Sequence, residues 1–529
     1  MTIARRSFTR RTLLAGVAMG LSASTVPALA AEKHRKSKST RKSAATPEPT
    51  FAGVPLPIPP LVDLADGATY DLVAQPAVHA FVKDKPVAVV GYGGGYLGPA
   101  LRLKRGTRPK VRLVNRLARP TNVHWHGLLV AADRDGSGHA GLAIGETWES
   151  ELVVDQPAAT LWYHAQVHGR TARDLHDGLA GLLIVEDETS ATAGLPTTWG
   201  VDDIPLVLQD RDLDANGRPV YEATASVVEH GFRGRDMVVN GVAEAVARVP
   251  QRLVRLRLLN AANARTFHLS FEDQRTFRLI ATDGGFLPSP ADLTLLVMAP
   301  GERAEILVDF AEGSGVLRTG PDRPEHRIGA VASPIPDVLD QPARLVAFDT
   351  FHDDRPVAAV PPRLSASPPP ARPAGDPKRR RFELRAVPNP AVVAADAGGV
   401  RARRMTTGAV SLGLAESGRA PPLLLTINGR GYAADRIDET ITLGTTEIWE
   451  IVSPDMPHSF HVHGAHFRVL SEDGDKPKTW NRGVKDTVLV ENSAELLVTF
   501  TRPADAHAPF FYHCHLLEHE DGGMMGTFT

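Results

Sequence analysis

The sequence predicts an all-β protein built from three copies of one β-sandwich unit. β-branched, alternating runs broken by glycine and proline recur along the chain and read as sandwich strands. The 46 glycines and 42 prolines suit a turn-rich β protein. The runs also echo one another at domain scale. Glu151-Leu152-Val153-Val154-Asp155 matches Glu305-Ile306-Leu307-Val308-Asp309 and Glu495-Leu496-Leu497-Val498-Thr499. Phe277-Arg278-Leu279-Ile280 with Asp283-Gly284 matches Phe467-Arg468-Val469-Leu470 with Asp473-Gly474. Repetition at this scale means duplication of a whole domain, not a solenoid. A chain of 529 residues has room for such units at roughly 150 residues each.

The elements follow in order. Arg5-Arg6-Ser7-Phe8, an apolar run from Leu13 to Leu21 and Ala28-Leu29-Ala30 make residues 1–30 a twin-arginine signal peptide. The apolar run is too short to span a bilayer. The expected address is the periplasm, reached through the twin-arginine export machinery. Residues 31–50 are a basic, flexible tether, densest in charge from Lys33 to Lys42. The three units are 51–190, 196–350 and 381–529. Residues 351–380, with Pro368-Pro369-Pro370, form a Pro-rich linker. A net charge of −2 leaves no nucleic-acid footprint. One cysteine excludes an intrachain disulfide, so stability must come from burial and bound metal.

That cysteine, Cys514, lies in Tyr512-His513-Cys514-His515, followed by His519, Met524 and Met525. A thiolate, imidazoles and a thioether form the ligand set of a blue-copper site. Alternate residues of an extended segment point to opposite faces. Cys514 therefore faces one way, and His513 and His515 face the other. Three further clusters supply partners: His124-Trp125-His126-Gly127, Trp162-Tyr163-His164-Ala165-Gln166-Val167-His168-Gly169, and His458-Ser459-Phe460-His461-Val462-His463-Gly464. Each H-x-H pair on a strand puts both rings on one face. In the middle unit His268 stands alone and reads as a core or surface residue.

On these clusters, and on the text joining them, the chain resembles the multicopper oxidases, in the branch of periplasmic copper-efflux oxidases and bacterial laccases. The joining text includes Val154-Asp155-Gln156-Pro157-Ala158-Ala159-Thr160, Gly178-Leu179-Ala180-Gly181 and His515-Leu516-Leu517-Glu518-His519-Glu520-Asp521. The resemblance covers nearly all of the mature chain. It implies three cupredoxin-like Greek-key β-sandwich domains and four copper ions: one type 1, one type 2 and two type 3. The type 1 ion would take His458, Cys514 and His519, with Met524 axial. The type 2 ion would take His124 and His461. The type 3 pair would take His126, His164, His463, His513 and His515. The implied activity couples one-electron oxidation of Cu(I) or of phenolic and aromatic reductants to four-electron reduction of O2 to water, with a role in copper tolerance. Cys514 would pass electrons to the second cluster through His513 and His515. The partners are O2 and a small reductant, and a monomer is expected. Asp135 and Glu520 match acidic positions that the family uses for proton delivery. The alternative for each is orienting a histidine, or, for Asp135, serving as a turn residue.

Two departures stand out. Gln166 occupies a position where the family has histidine. A copper there would take Gln166 oxygen or water, or recruit His168. The chain also has only eight methionines, with Met405 alone between Ala386 and Leu425. Asp455 and Met456 could form part of a Cu(I) site, or be an ordinary loop pair. Two alternatives to the oxidase therefore stay open. One is a type 1 electron-transfer or copper-binding protein with an impaired trinuclear cluster. The other is a copper-free structural homologue.

Overall fold

The computed structural model describes residues 50–137, 141–322, 341–355, 359–364, 368–373, 375–388 and 423–529. The expected signal peptide, the tether up to residue 49, and Met405 lie outside them. The described residues form six β-sheets, packed in pairs as three sandwiches. The expected all-β class holds. Each sandwich keeps one pattern at its centre. A middle strand runs parallel to one neighbour and antiparallel to the other. These middle strands are Lys110–Asn115, Leu253–Asn260 and Thr446–Val452. Their parallel partners are Thr69–His79, Asp203–Leu213 and Arg379–Pro388. Their antiparallel partners are Thr147–Glu151, Arg303–Asp309 and Ser493–Phe500. The duplicated Phe-Arg runs also share a register shift, between Leu279 and Ala281 in one and Val469 and Ser471 in the other. A shared bulge is a feature carried by duplication, not a local accident.

Each sandwich has its own apolar core. Trp125 and Tyr163 anchor the first, Phe267 and Phe271 the second, and Trp449 and Phe460 the third. A fully buried side chain of this size contributes about 1.5–3 kcal/mol.

Two expectations need correction. The echo at Glu151–Asp155 falls just past its strand, which is Thr147–Glu151. Beyond Glu151 the chain still bonds its neighbour, Leu152 N–H to Pro109 O and Val154 N–H to Thr107 O. Pro109 has no N–H to return, so the ladder lapses there. Second, Val54–Pro55 pairs in parallel with Ala245–Pro250. The described residues thus begin on the second sandwich before building the first, whereas a unit starting at residue 51 was expected.

Candidate metal centre

The geometry begins with one strand pair. His458–Val462 runs antiparallel to Phe510–Cys514, with Phe460 opposite Cys514 and His461 opposite His513. Paired residues share a face, and faces alternate along a strand. His458 therefore shares the face of Cys514, while His461 shares that of His513. One strand pair sorts its ligand-type side chains into two clusters on its two faces.

On the first face, Cys514 Sγ lies 3.4 Å from His458 Nδ1 and 3.8 Å from His519 Nδ1, and the two Nδ1 atoms are 3.2 Å apart. All three residues are buried. His458 Nε2–H donates to Asp455 Oδ1 at 3.2 Å, and His519 Nε2–H donates to Glu229 O at 3.1 Å. These bonds leave both Nδ1 lone pairs aimed at the sulfur. Met524 is fully buried in the same apolar cluster as Cys514. Its backbone ties the site together: Cys514 N–H donates to Met524 O, and Met524 N–H donates to His519 O.

The second cluster gathers His124, His126, His164, His461, His463, His513 and His515, all buried. Outer acceptors take the Nδ1–H of five rings. His461 bonds Asp486 O at 2.9 Å, His463 bonds Asp135 Oδ2 at 2.9 Å, His513 bonds Cys514 O at 3.1 Å, His164 bonds Ala165 O at 3.0 Å, and His124 bonds Asp135 O at 3.2 Å. Their Nε2 lone pairs converge inward. His126 is reversed. Its Nε2 meets Thr487 Oγ1 at 3.1 Å, and its Nδ1 lies 3.4 Å from His164 Nε2. Nε2 of His124 and His461, and both ring nitrogens of His515, have no hydrogen-bond partner. Burial lowers His461 to about 4 and His513 to about 3, and it lowers His126, His164, His463 and His515 as well.

These donors fit copper. Converging neutral imidazoles suit it, and so does a buried sulfur with two imidazoles. Burial pushes the Cys514 thiol up, so the thiolate needs a cation beside it.

Gln166 faces the second cluster. Its amide nitrogen lies 3.1 Å from His513 Nε2 and 3.3 Å from His463 Nε2. Asn122 pins its backbone from both sides, accepting from Gln166 N–H at 2.7 Å and donating to Gln166 O at 2.8 Å.

Comparison with known proteins bears on this arrangement. Three family models described as multicopper oxidase match residues 75–190, 162–316 and 396–529. The chain is 36% identical over 473 residues to the cell division protein FtsP of Xenorhabdus nematophila, covering 89% of this chain and 91% of that one. It is 34% identical to FtsP of Escherichia coli, covering 89% and 92%. The chain belongs to the multicopper oxidase family. Among solved structures it is similar to the laccase-like multicopper oxidase CueO of Ochrobactrum sp., which has oxidase activity towards lignin model compounds and lignosulfonate. The identity is 39%, with 90% of this chain and 100% of that one covered and a TM-score of 0.79. McoA of Aquifex aeolicus gives 26% identity, 90% and 99% coverage and a TM-score of 0.75. The three sandwiches are thus the cupredoxin-like domains of a multicopper oxidase, a family that binds copper.

The remaining expectations can be placed on this family frame. Asp135 Oδ2 contacts Nδ1 of both His463 and His124, at 2.9 and 3.2 Å. Burial opposes its charge, yet the two imidazoles hold its carboxyl well below the usual range. This geometry is that of an orienting carboxylate. Glu520 differs. Its Oε1 accepts from Thr171 Oγ1 at 3.0 Å, its Oε2 lies 3.4 Å from His513 Nδ1, and burial pushes it up to about 7.

Two expectations fail. His168 was expected on the face of His164 and Gln166, but the strand ends at His164 and the chain turns, with Arg170 N–H bonded to Val167 O. Its ring packs 4.7 Å from that of Tyr432. The pair His124 and His126 does not lie on a strand. His124 makes a single bridge with His164. For Asp455 and Met456, left open between part of a Cu(I) site and an ordinary loop pair, the contacts match the loop pair. Met456 is buried in the third apolar core, and the Asp455 carboxylate is engaged by His458, Met456 N–H and Ala386 N–H. His268, half-buried on Phe267–Phe271, joins no ligand group among the described residues.

Sequence reading missed Asp486 and Arg303. Both are fully buried, and Arg303 Nη1 and Nη2 bond Asp486 Oδ1 and Oδ2 at 2.6 and 2.5 Å. Asp486 Oδ1 also lies 3.3 Å from His126 Nε2. The second sandwich, which supplies no histidine ligand among the described residues, thus braces the cluster through one arginine. Only hydrophilicity within a strand-edge triplet, Lys485-Asp486-Thr487, marked this in the sequence.

Proposed function

We propose that the chain is a copper-dependent oxidase that couples one-electron oxidation of a small reductant to four-electron reduction of O2 to water. The observation that carries this is the strand pair whose two faces hold the two clusters. Copper at the Cys514 cluster would accept single electrons, and copper at the histidine cluster would supply O2 reduction. Four ions fit the donors: one type 1 at His458, Cys514, His519 and Met524, one type 2 at His124 and His461, and two type 3 among the rest. Peptide bonds join Cys514 to His513 and His515, so the path between clusters is almost wholly covalent. Asp135 and Asp486 hold rings in the tautomers that point lone pairs inward. Glu520 holds a proton at Oε2, beside His513, and delivers it to the cluster. Phenolic and aromatic compounds are the favoured reductants, because the Ochrobactrum relative acts on lignin model compounds and Met456 is walled into the core. Cu(I) remains a reductant to test, with copper tolerance as its setting. Export by the twin-arginine route would place the enzyme, as a monomer, in the periplasm.

Purified, copper-loaded protein should be blue, hold four coppers per chain, and consume O2 with a phenol or with Cu(I). Cys514→Ser should lose the blue absorption and O2 uptake together. Four bound coppers without O2 uptake would overturn the oxidase reading. That result would favour a second reading, a non-catalytic role in cell division, which the names of the FtsP relatives support. Glu520→Gln should keep the colour and copper count but slow O2 uptake by about 10²-fold. Unchanged turnover would remove Glu520 from proton delivery.

A further inference from the structure

We propose that Gln166 is itself a copper ligand, through Oε1, completing a mixed nitrogen and oxygen site with Nε2 of His463 and His513. This deepens the oxidase reading and rests on it. The Gln166 amide nitrogen, His463 Nε2 and His513 Nε2 form a triangle with edges of 3.3, 3.1 and 3.1 Å. Those edges place all three atoms about 1.8 Å from one common point, and first-row divalent ions take nitrogen and oxygen donors at about 2.0–2.2 Å. Three positions are therefore already spaced as one face of a metal site.

The two imidazoles set which end of the amide points inward. His463 and His513 donate their Nδ1–H outward, to Asp135 and to Cys514 O. Both inward Nε2 atoms therefore carry lone pairs. Without a cation, an amide N–H2 facing them is the favourable arrangement, and it is the one seen. It leaves the buried Gln166 Oε1 without a hydrogen-bond partner. An amide is nearly symmetric, so a half-turn about its last bond exchanges nitrogen and oxygen in place. After that turn Oε1 joins the two lone pairs around a shared cation. One rotation gives the orphaned oxygen a partner. It is favourable only with a cation in the triangle, since three acceptors would otherwise repel. The Asn122 clamp on the Gln166 backbone confines the change to the side chain. His168 is not available as the third donor, because it has turned away against Tyr432.

An amide oxygen is a harder and weaker copper donor than imidazole. The copper at this triangle is therefore the most readily lost of the four. The test counts copper per chain during titration with a competing chelator, on the full copper-loaded protein, with blue absorption and thermal unfolding as checks on the fold. Wild type should hold four coppers and lose one first. Gln166→Leu should stay blue and hold three. Gln166→His should hold four, with the first loss moved to about tenfold more chelator or beyond, the scale on which even outer partners of a metal site act. Four coppers in Gln166→Leu, with wild-type resistance, would show that Gln166 is not a ligand. A blue wild type that never exceeds three coppers would also overturn the proposal, because the amide would then keep its donor face on the histidines. A chain that is colourless and copper-free would sink the oxidase reading, and this inference with it.

Discussion

Asp486→Ala should destabilise the metal-free protein by about 3–5 kcal/mol, the usual cost of removing one partner from a buried ion pair. Both side chains of the Arg303–Asp486 pair are completely buried, and both carboxylate oxygens are used. Alanine would strand the guanidinium, whose other acidic neighbour, Asp283, is 3.7 Å away and also serves Lys485 at 3.1 Å. The measurement is a denaturant midpoint on metal-free chains, which removes the contribution of bound copper. The double variant Arg303→Met/Asp486→Leu should recover much of the loss, because a buried pair replaced by apolar side chains leaves no unpaired charge. A double variant as unstable as Asp486→Ala would show that the cost comes from elsewhere. The copper readout separates bracing from stability. His461 keeps its acceptor, the backbone oxygen of residue 486, whereas His126 keeps only Thr487 Oγ1 at 3.1 Å. Copper at the second cluster should bind about 10–100-fold more weakly, the usual effect of removing an outer partner of a metal ligand. The blue site should be untouched.

What was legible in the sequence follows from the reach of the physics involved. Strand alternation acts over two residues, so the opposite facing of Cys514 and its two histidine neighbours could be read directly, and the structure places them so. The same rule failed at His168 because it was carried past His164, where the strand ends and a turn begins. Duplication was legible in the echoes, but the slip at Glu151 depended on Pro109, a residue on the facing chain. Met456 reads equally well as a soft ligand or as an ordinary loop residue, and only its neighbours decide. The Arg303–Asp486 brace joins two sandwiches across 183 residues of sequence, and nothing local announces it. Ligands carry a recognisable chemistry, whereas the groups that aim them are ordinary residues brought close by the fold.

Acid should bleach the blue site before it strips the histidine cluster. Metal ligands must be deprotonated, so each proton that copper displaces makes binding depend on pH. An ordinary imidazole titrates near 6.5 and would begin to lose copper below that value. Here burial lowers His461 to about 4 and His513 to about 3, and lowers His126, His164, His463 and His515 in the same direction. A depressed value means that the folded, metal-free ring is already neutral between about 6.5 and that value. Copper then has no proton to displace from these rings, and their affinity should stay flat until pH falls to about 4. Cys514 has the opposite sign. Burial pushes its thiol up, so it is protonated across this whole range and copper must displace its proton. Affinity at the blue site should fall about tenfold for each unit of pH, or roughly 10³-fold from pH 8 to 5. The measurement is blue absorbance together with total copper per chain, at fixed free copper and stepwise lower pH. Colour should fade while most of the copper remains. Loss of all copper together near pH 6.5 would mean that the cluster histidines titrate as if exposed, and that burial does not hold them ready for metal.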